Sequence, residues 1–339
     1  SINTVVPPTT VWEKGVGTDI GLEATILNRR LTLDLDWYNR LTENAIFQIP
    51  ILNSVGTSGG SIIGNQATFQ NTGFEISATW RDGIGENVNY TVAANLGINN
   101  NKVKEVITGA NPIYGGGGAA TGGSLATRTI VGQPIGQFFG YKVTGVFQTA
   151  AEVANSAQPT ARPGDFIYED ISGPSGKPDG VIDALDRIPI GNPNPKYTYG
   201  INTNWNWRNW DLTLDFQGVA GVDIYNANLG LRYGTENFSK EFFDSRWHGQ
   251  GTSNSYPSAN IGGGENYRPG SFYVESGAYF RVRNAQLGYT LDENLTRRWK
   301  ISRIRLFANA QNPINFFRYR GLSPEIGGGP TDAGIDTNV

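Results

Sequence analysis

The feature that most constrains the fold is a nearly unbroken alternation of side-chain character along residues 197–216. Large apolar residues, most of them aromatic, occupy one parity of this segment, and amides and carboxylates occupy much of the other. With a two-residue turn at Arg208-Asn209, Trp207 lies opposite Trp210. Opposed residues of an antiparallel pair point to the same face, so this register gathers the large apolar side chains on one side. The segment therefore predicts a β-hairpin with one apolar face and one polar face.

Three further hairpins follow the same pattern. Around residues 28–29, the register that gathers the apolar side chains also sets Glu23 opposite Asp34. Two opposed carboxylates are costly in a dry core, so we expect the polar face to be hydrated. Two more hairpins are expected within residues 74–96 and 285–310. Alternation is therefore a property of much of the chain.

The two faces predict two sets of functional side chains. The polar set is expected to line a hydrated interior, and it consists of Asp34, Asp36, Asn202, Asn204, Asn206, Asp211 and Asp215. Trp concentrates at membrane–water interfaces, so the aromatic residues near strand ends are expected to form a membrane-facing girdle. This girdle set consists of Trp37, Trp80, Trp205, Trp207 and Trp210.

The composition excludes several classes of protein. The chain of 339 residues has no run near the ~20 apolar residues that a membrane-spanning helix needs, whereas a spanning strand needs only ~9–11 residues. A net charge of −3 without a basic stripe argues against nucleic acid as a partner. Without cysteine there is no disulfide, thiolate metal site or cysteine nucleophile. Since the chain begins with Ser1 and contains no Met, we expect it to be a segment of a longer protein.

The connectors between hairpins are long, at about 51–69, 105–196 and 225–278. Short turns on one rim and long loops on the other are typical of outer-membrane barrels, in which the long loops are extracellular. The alternation alone is equally compatible with a soluble sandwich that buries its apolar face. We assign residues 136–147 to a loop rather than to a spanning strand. That choice keeps the later short turns on the correct rim without a further strand at 164–171.

One connector contains a candidate metal site. Residues 170–187 resemble the start of a calcium-binding loop, in which carboxylate and carbonyl oxygens surround a hard cation. Ser172 replaces the usual Asp or Asn, and residues 174–178 interrupt the spacing. No cofactor is otherwise expected, and a solvated Asp/Gly turn is the alternative to calcium. The candidate ligands are Asp170, Ser172, Asp179, Val181, Asp183 and Asp186.

No catalytic constellation is apparent, so we do not expect an enzyme. The single histidine, His248, has no identifiable acid–base partner and is expected to be a polar loop residue. No pair of carboxylates stands out as a glycosidase dyad. The segment 225–247 has apolar residues at helical spacing and predicts a short helix within its loop.

Several segments resemble those of one known family. The most specific is GNPNPKYTYGINTNWNWRNWDLTLDFQGVAGVDIYN at 191–226, which is similar to the signature region of the SusC/RagA-type TonB-dependent transporters of Bacteroidota. The stretch NTGFEISATW at 71–80 is similar to the N-x-G-x-E strand of TonB-dependent receptors. VWEKGVGTDIGLE at 11–23, YFRVRNAQLGYTL at 279–291 and IRLFANAQNPINFFRYRGLSPEIGG at 304–328 extend the resemblance over nearly the whole chain.

The resemblance implies an all-β fold, an antiparallel transmembrane barrel of 22 strands with an N-terminal plug. It also implies import of an oligosaccharide or peptide across the outer membrane of a Gram-negative, Bacteroidota-like bacterium. The implied partners are a SusD-like surface lipoprotein, outer-membrane lipid, and the TonB complex acting through the plug. By the same resemblance, this chain would supply about eight strands from the second half of the barrel, without the plug and the last strand.

Two other functions remain open from the residues alone. A soluble β-rich glycan-binding module would use exposed tryptophans to stack on sugar rings. A cell-surface hydrolase domain is disfavoured, because the acid–base constellation it needs is missing. Loop aromatics such as Phe242, Phe243, Phe272 and Tyr273 are equally suited to stacking on a sugar and to packing against a partner.

Overall fold

The dominant element is an eight-stranded antiparallel sheet. The computed structural model describes residues 4–50, 60–107, 112–118, 121–230, 237–259 and 264–337. Each long strand pairs with the strands before and after it in the chain, which makes the sheet an up-and-down meander. The long strands are β1 (Lys14–Ile26), β2 (Leu31–Pro50), β3 (Ser61–Ile84), β4 (Val88–Val106), β5 (Tyr197–Trp207), β6 (Trp210–Ala220), β7 (Tyr279–Thr290) and β8 (Arg305–Phe317). A two-residue strand, Thr4–Val5, pairs in parallel with the start of β3.

The strand register follows the alternation of the sequence. Trp207 lies opposite Trp210 in the β5–β6 hairpin, as predicted. Glu23 lies opposite Asp34 in the β1–β2 hairpin. The hairpins expected within residues 74–96 and 285–310 are β3–β4 and β7–β8. The all-β, antiparallel fold is therefore confirmed.

The two rims of the sheet differ in the length of their connectors. Four connectors share one rim, here called the turn rim: residues 27–30, 85–87 and 208–209, each of at most four residues, and residues 291–304, which contain a helix. The connectors between β2 and β3, between β4 and β5 and between β6 and β7 share the opposite rim, the loop rim, and two of them are very long. Within the described parts of the connectors there are three short helices: α1 (Ala150–Ala154), α2 (Lys240–Ser245) and α3 (Glu293–Arg298). Among the described residues, no helix is long and apolar enough to cross a membrane.

The long connectors pack together at the loop rim. Short strands join them into small sheets, namely Ile113–Gly115, Thr127–Thr129, Gln137–Gly140, Val143–Val146, Phe166–Tyr168, Ile188–Gly191, Asp223–Asn226, Val274–Ser276 and Ile335–Asp336. Single 3₁₀ turns lie at Ala184–Asp186, Ala227–Leu229, Glu265–Tyr267 and Ser271–Tyr273. We call the described parts of 112–196, 221–278 and 318–337 the loop assembly.

The loop assembly has a hydrophobic core of its own. Phe138 and Tyr225 are fully buried there, with ring centroids 5.8 Å apart, and Tyr273 packs against Tyr225 at 5.6 Å. Arg187 donates to the carbonyl oxygen of Phe139 at 2.8 Å. Because aromatic side chains bury large apolar areas, this core holds together connectors that are far apart in sequence.

Two expectations about the connectors change with the structure. Residues 61–69, expected in a loop, belong to β3, because that strand continues past the point where its alternation fades. Residues 136–147 contribute two short strands to the loop assembly and none to the large sheet, so their assignment to a loop holds. The short helix expected within 225–247 is α2, although residues 231–236 lie outside the described residues.

Candidate functional site

The large sheet has one continuous apolar face that nothing in the described chain covers. Ile20 is 64% exposed, Leu22 63% and Phe316 58%, which places these side chains among the most exposed large apolar residues. They share this face with Ile201 and Leu214, through the pairing of successive strands. Contiguous apolar surface of this extent marks a binding or membrane surface rather than an ordinary exterior.

Aromatic rings border the apolar face toward the turn rim. Trp80 donates from Nε1 to the hydroxyl of Tyr90 at 3.2 Å, and Tyr90 stacks on Trp205 with centroids 4.7 Å apart. Trp210 contacts Tyr289 across the next strand pair, also at 4.7 Å. Trp207, opposite Trp210, is 53% exposed at the tip of its hairpin. Four of the five girdle residues predicted from the sequence therefore lie together.

A second group of aromatic rings borders the same face toward the loop rim. Phe280 stacks with Phe216 at 5.7 Å and with Phe316 at 6.3 Å. Trp37, the fifth predicted girdle residue, lies in this part of the face, opposite Phe74. The sequence analysis placed all five tryptophans in one group because it located the strand ends without determining at which rim of the sheet each end lies.

The length of β5 matches the thickness of the apolar part of a membrane. Tyr197 and Trp207 mark the two ends of β5, which has 11 residues. A rise of ~3.4 Å per residue and a strand tilt of ~35–45° give a vertical separation of roughly 26 Å. The apolar band of outer-membrane barrels is about 25 Å tall and is bordered by aromatic girdles.

The opposite face carries a chain of hydrogen-bonded amides and carboxylates. Asn204 donates to Asn202 at 2.7 Å, and Asn202 donates to the carboxylate of Asp215. Asn284 on β7 also donates to Asp215, at 3.3 Å, and Asn309 on β8 donates to Asn284 at 2.7 Å. Three predicted residues of the polar face are thus brought together. The sequence analysis missed Asn284 and Asn309, although both occupy the polar parity of their strands.

An ion pair continues this polar face toward the turn rim. Arg305 on β8 donates from Nε to Oδ1 of Asp211 on β6, at 2.9 Å, and a second nitrogen of Arg305 contacts the same carboxylate. The pair spans the strand between them at Gly288, where any side chain would collide with both partners. Asn206 lies directly opposite Asp211. The glycine therefore leaves the space that the ion pair occupies.

The other predicted polar residues lie on the same face near β1. Glu23 is opposite Asp34, and Asp36 is opposite Glu75. Two facing pairs of carboxylates repel unless water or a cation screens them. This part of the sheet therefore needs a hydrated environment.

The candidate calcium loop is held by its own carboxylates. Asp186 accepts backbone N–H groups of Ile171 at 2.7 Å and Asp183 at 2.8 Å, and also that of Ser172. Burial raises the pKa of Asp186, but these N–H groups outweigh burial and hold it below its usual value. Asp170 accepts from the N–H groups of Asp179 and Gly180.

The candidate ligands therefore already have hydrogen-bond partners, and Val181 N–H donates to Asp179 at 3.1 Å. Over the described residues, no group of three or more His, Asp or Glu side chains is arranged to hold a metal ion. Calcium binding at this loop stays a prediction. It would require several carboxylates to exchange backbone N–H groups for the cation.

The loop assembly also contains a charge network that the sequence analysis missed. Arg320 donates from Nε to Glu275 at 3.0 Å, and Asn226 donates to the same carboxylate at 2.7 Å. Burial lowers the pKa of Arg320, but its bonds to Glu275 raise it overall. Tyr319 donates to Asp336, and burial together with this carboxylate raises the pKa of the phenol. These contacts join connectors distant in sequence, so no local signal could reveal them.

The remaining loop residues, which include the aromatic residues considered for contact with a sugar or a partner, differ in how exposed their side chains are. Tyr273 and Phe242 are core residues, so neither can contact a ligand, contrary to the equal suitability expected from the sequence. Phe272 packs against that core, whereas Phe243 is 54% exposed. His248 is exposed, and its Nδ1 lies 3.1 Å from the carbonyl oxygen of Arg246.

Comparisons with known proteins agree with the fold. No protein-family model matches the chain. The chain is 30% identical, over 93% of its length, to TonB-dependent receptor P3 of Formosa agariphila, and covers 31% of that receptor. It is 23% identical, over 96% of its length, to TonB-dependent receptor SusC of Bacteroides thetaiotaomicron, of which it covers 30%. The chain therefore spans about a third of the length of the curated relatives it matches.

Solved structures give the same answer for the fold. A structure of the RagAB peptide transporter superposes with a TM-score of 0.75 at 20% identity, covering 97% of this chain and 34% of that one. The RagAB peptide importer in its closed-closed state gives 0.73 at 19% identity, with the same coverage. These relatives are receptors and transporters, not enzymes. The resemblance to SusC/RagA-type TonB-dependent receptors is thus confirmed over nearly the whole chain, which corresponds to about a third of such a receptor.

Proposed function

We propose that this chain forms part of the wall and outer mouth of a TonB-dependent importer in the outer membrane of a Bacteroidota bacterium. The importer takes up an oligosaccharide or a peptide together with a SusD-like surface lipoprotein. One observation carries the proposal: the large sheet has a bare apolar face bordered by aromatic rings at both ends and a hydrated polar face behind it.

The assignment of the large sheet to the barrel wall follows from the chemistry of its two faces. The apolar face faces lipid, and the aromatic groups lie at its two interfaces. The face that carries Asn202, Asp211 and Asp215 lines the lumen, where water and polar groups of substrate or plug satisfy its amides and carboxylates. Both edge strands, β1 and β8, have one side unpaired within the described sheet. Further strands of the whole protein close the barrel there, since open edges are not stable in a membrane.

A soluble glycan-binding module fits these observations poorly. Such a module would have to cover the apolar face with another layer, but the loop assembly packs at the rim and leaves Leu22 and Phe316 exposed. Sugar-binding tryptophans would also need to project into water. Trp205 instead stacks on Tyr90 within a row of rings on the apolar face.

The assignment of the loop assembly to the outer mouth follows from its position at the loop rim and from its core. Its core fixes the long connectors in one body above the loop rim, so that they present a defined surface to a partner. Relatives with the names SusC and RagAB support a SusD-like lipoprotein as that partner. RagAB is a peptide importer, whereas the resemblance of the sequence implies an oligosaccharide or a peptide as the substrate.

Transport requires no covalent chemistry on this segment. The loop assembly and the lipoprotein close over the substrate, and TonB moves part of the plug to open the lumen. The residues of the polar face then supply exchangeable hydrogen bonds, since amides such as Asn202 and Asn204 both donate and accept.

The test is made with the intact protein in its own bacterium. Its gene is deleted, and growth is measured on single oligosaccharides and peptides, with fractionation of the tagged wild-type protein in parallel. We expect the protein to require detergent for extraction, to co-purify with a lipoprotein, and to be needed for growth on one nutrient class. Release of the protein into buffer without detergent would overturn the proposal, and so would unchanged growth of the mutant on every nutrient.

A further inference from the structure

We propose that a site on the polar face of the sheet, near the loop rim, binds an acidic side chain of an imported peptide through Arg283. This inference rests on the proposed function, because it needs the polar face to line the lumen, and it narrows the substrate to one class. Arg283 is an exposed residue of β7, the fifth from the end of that strand at the loop rim. A substrate that enters through the outer mouth would reach this part of the face before it reaches the turn rim.

Two hollows on the polar face meet at Arg283. The first, of about 520 Å³, lies over Gly200 of β5, where a side chain would press on the amide of Asn95. The second, of about 540 Å³, is lined by polar residues, among them Gln311 and Glu325. Arg283 lines both hollows. The other residues of the first hollow belong to β4, β5 and β6, so the side chain of Arg283 must extend across β6 to reach it.

The strand departs from regular geometry at the same residue. Asn284 and Val282 pair with consecutive residues of β6, so Arg283 between them is a bulge. The pairing of β7 with β8 also shifts at this place, where Asn312 of β8 has a φ of 48°. A residue other than glycine seldom adopts this left-handed conformation. Because bulges redirect side chains and are common beside functional sites, the irregular pairing is an observation independent of the hollows.

The charge of Arg283 is not neutralised within the described chain. Its side chain has no hydrogen-bond or ion-pair partner among the described residues, whereas the neighbouring Arg281 is paired with Glu325. Asp215, the carboxylate that lines the first hollow, already accepts hydrogen bonds from Asn202 and from Asn284, the latter at 3.3 Å. An unpaired guanidinium between two polar hollows attracts a carboxylate, with which it can form two parallel N–H···O bonds. Since Asp215 offsets part of the long-range attraction, the affinity depends on direct contact with Arg283.

The other side chains of the two hollows favour a peptide over an oligosaccharide. Carboxamides line both hollows, and they donate and accept hydrogen bonds as the N–H and C=O groups of a peptide backbone require. A sugar ring would also need an exposed aromatic ring on which to stack. The two aromatic residues of the first hollow, Tyr199 and Phe216, instead stack on Phe280 in the aromatic group on the apolar face. The second hollow has no aromatic residue among its described lining residues.

The experiment uses the intact protein, purified in detergent together with its lipoprotein, and measures binding by isothermal titration calorimetry. The probes are a short peptide that carries two aspartates, the same peptide with asparagines in their place, and an oligogalacturonate. The test variant is Arg283→Gln, the charge-conserving variant is Arg283→Lys, and the matched control is Arg208→Gln at the turn rim. Because the lipoprotein is the same in every sample, a difference between variants reports on the substituted residue.

We expect the wild-type protein to bind the aspartate peptide about tenfold more tightly than the asparagine peptide, as one charge-assisted hydrogen bond would provide. Arg283→Gln should lose this preference, Arg283→Lys should keep most of it, and Arg208→Gln should behave as wild type. Gly200→Leu, which fills the first hollow, should weaken the binding of both peptides alike.

Four results would overturn the inference. The first is a preference for aspartate that is absent from the wild type or unchanged in Arg283→Gln. The second is unchanged peptide binding in Gly200→Leu, which would place the peptide elsewhere. The third is equally tight binding of the oligogalacturonate that depends on Arg283, which would contradict the assignment to a peptide. The fourth is a lower melting temperature of Arg283→Gln without ligand and unchanged affinities, which would show that a carboxylate of the protein itself occupies the site.

Failure of the proposed function is distinguishable from these results. If the protein is released without detergent and supports growth on no nutrient, the importer proposal fails before the site is tested. If it is extracted from the membrane and supports growth, but its binding of the aspartate peptide does not depend on Arg283, only the present inference fails.

Discussion

The large sheet and the loop assembly are stabilised in opposite ways. The loop assembly has an ordinary core, with Phe138 and Tyr225 fully buried. The sheet places its large apolar side chains on an outer face that nothing in the described chain covers, and its polar side chains on the other. A side-chain substitution should therefore act differently in the two regions. In the loop assembly, truncating a buried side chain leaves a cavity and removes apolar contacts. In the sheet, the effect of a substitution depends on whether the side chain lies on the apolar face or on the polar face.

The largest effect is expected in the core of the loop assembly. Phe138→Ala removes a fully buried ring and should destabilise this assembly by about 3–5 kcal/mol, through lost burial and the cavity left behind. Hydrogen exchange of the intact protein should show faster exchange at 121–196 and 221–230 and little change in β1 to β3. The control Phe243→Ala, at an exposed position, should change neither. Equal loss of protection in both regions would show that they unfold as one unit.

The next effect distinguishes the two faces of the sheet. Leu214→Arg places a charge near the middle of the apolar face and should cost about 2–4 kcal/mol in a bilayer. Gln286→Arg is the matched control, since Gln286 lies opposite Thr213 on the polar face. Folding of the intact barrel into lipid vesicles under urea titration gives both values. A similar cost for the two substitutions would contradict the assignment of faces.

A smaller effect is expected from the charge network of the loop assembly. Arg320→Gln leaves Glu275 without its main cation in a largely buried site, and should cost about 2–3 kcal/mol. The control is Arg318→Gln, because Arg318 is exposed and has no ion-pair partner among the described residues. Thermal unfolding followed by near-ultraviolet circular dichroism reports the difference. Equal stability of the two variants would show that the network contributes little.

The loop around Asp186 should be moderately sensitive to both substitution and acid. Asp186→Asn removes one of the two oxygens that accept backbone N–H groups, at a cost of about 1–2 kcal/mol. Because the folded state lowers the pKa of Asp186, its stabilisation is complete above about pH 5 and is lost as the pH falls through the lowered pKa. Hydrogen exchange at Ile171 and Ser172 between pH 3 and 6 tests this. An acid dependence that persists in the Asn variant would assign it to other groups.

The smallest effect concerns calcium at the same loop. If the cation binds there, calcium at ten times its dissociation constant should stabilise the intact protein by about 1.4 kcal/mol, and a chelator should reverse the effect. Asp179→Asn should abolish the response. A melting temperature that is independent of calcium and chelator would leave the carboxylates with the purely structural role of accepting N–H groups.

The sequence predicts the sheet better than the loop assembly, for a physical reason. Strand register depends on a period of two and on short turns, and both are local, so the facing of Trp207 and Trp210 is legible in the sequence. The end of β3 nearest the loop rim was missed because its alternation fades at residues 61–69. The core of the loop assembly was also missed, since Phe138, Tyr225 and Tyr273 come together only through tertiary packing.

The same distinction applies to the candidate site. The alternation predicts which face of the sheet carries Asp211 and Asp215. It does not predict their partners Arg305 and Asn284, which lie on strands far away in sequence. To predict that the girdle divides into two groups, one must know at which rim of the sheet each strand ends. That depends on the order of all the strands in the meander. For the calcium loop, composition suggested ligands, whereas the backbone conformation had already assigned their oxygens to N–H groups.

The up-and-down order of the sheet has a consequence for how the protein folds. The β1–β2, β3–β4 and β5–β6 hairpins close over at most four residues, so each can form quickly without the rest of the chain. Pairing of β4 with β5 must instead wait for a connector from residue 107 to 196, and that of β6 with β7 for one from 221 to 278. Loop closure over such lengths is slow. A loop assembly that folds first would bring β4 close to β5 and β6 close to β7, so both strand pairings would form faster. The outer mouth would then act as a folding template for the wall beneath it.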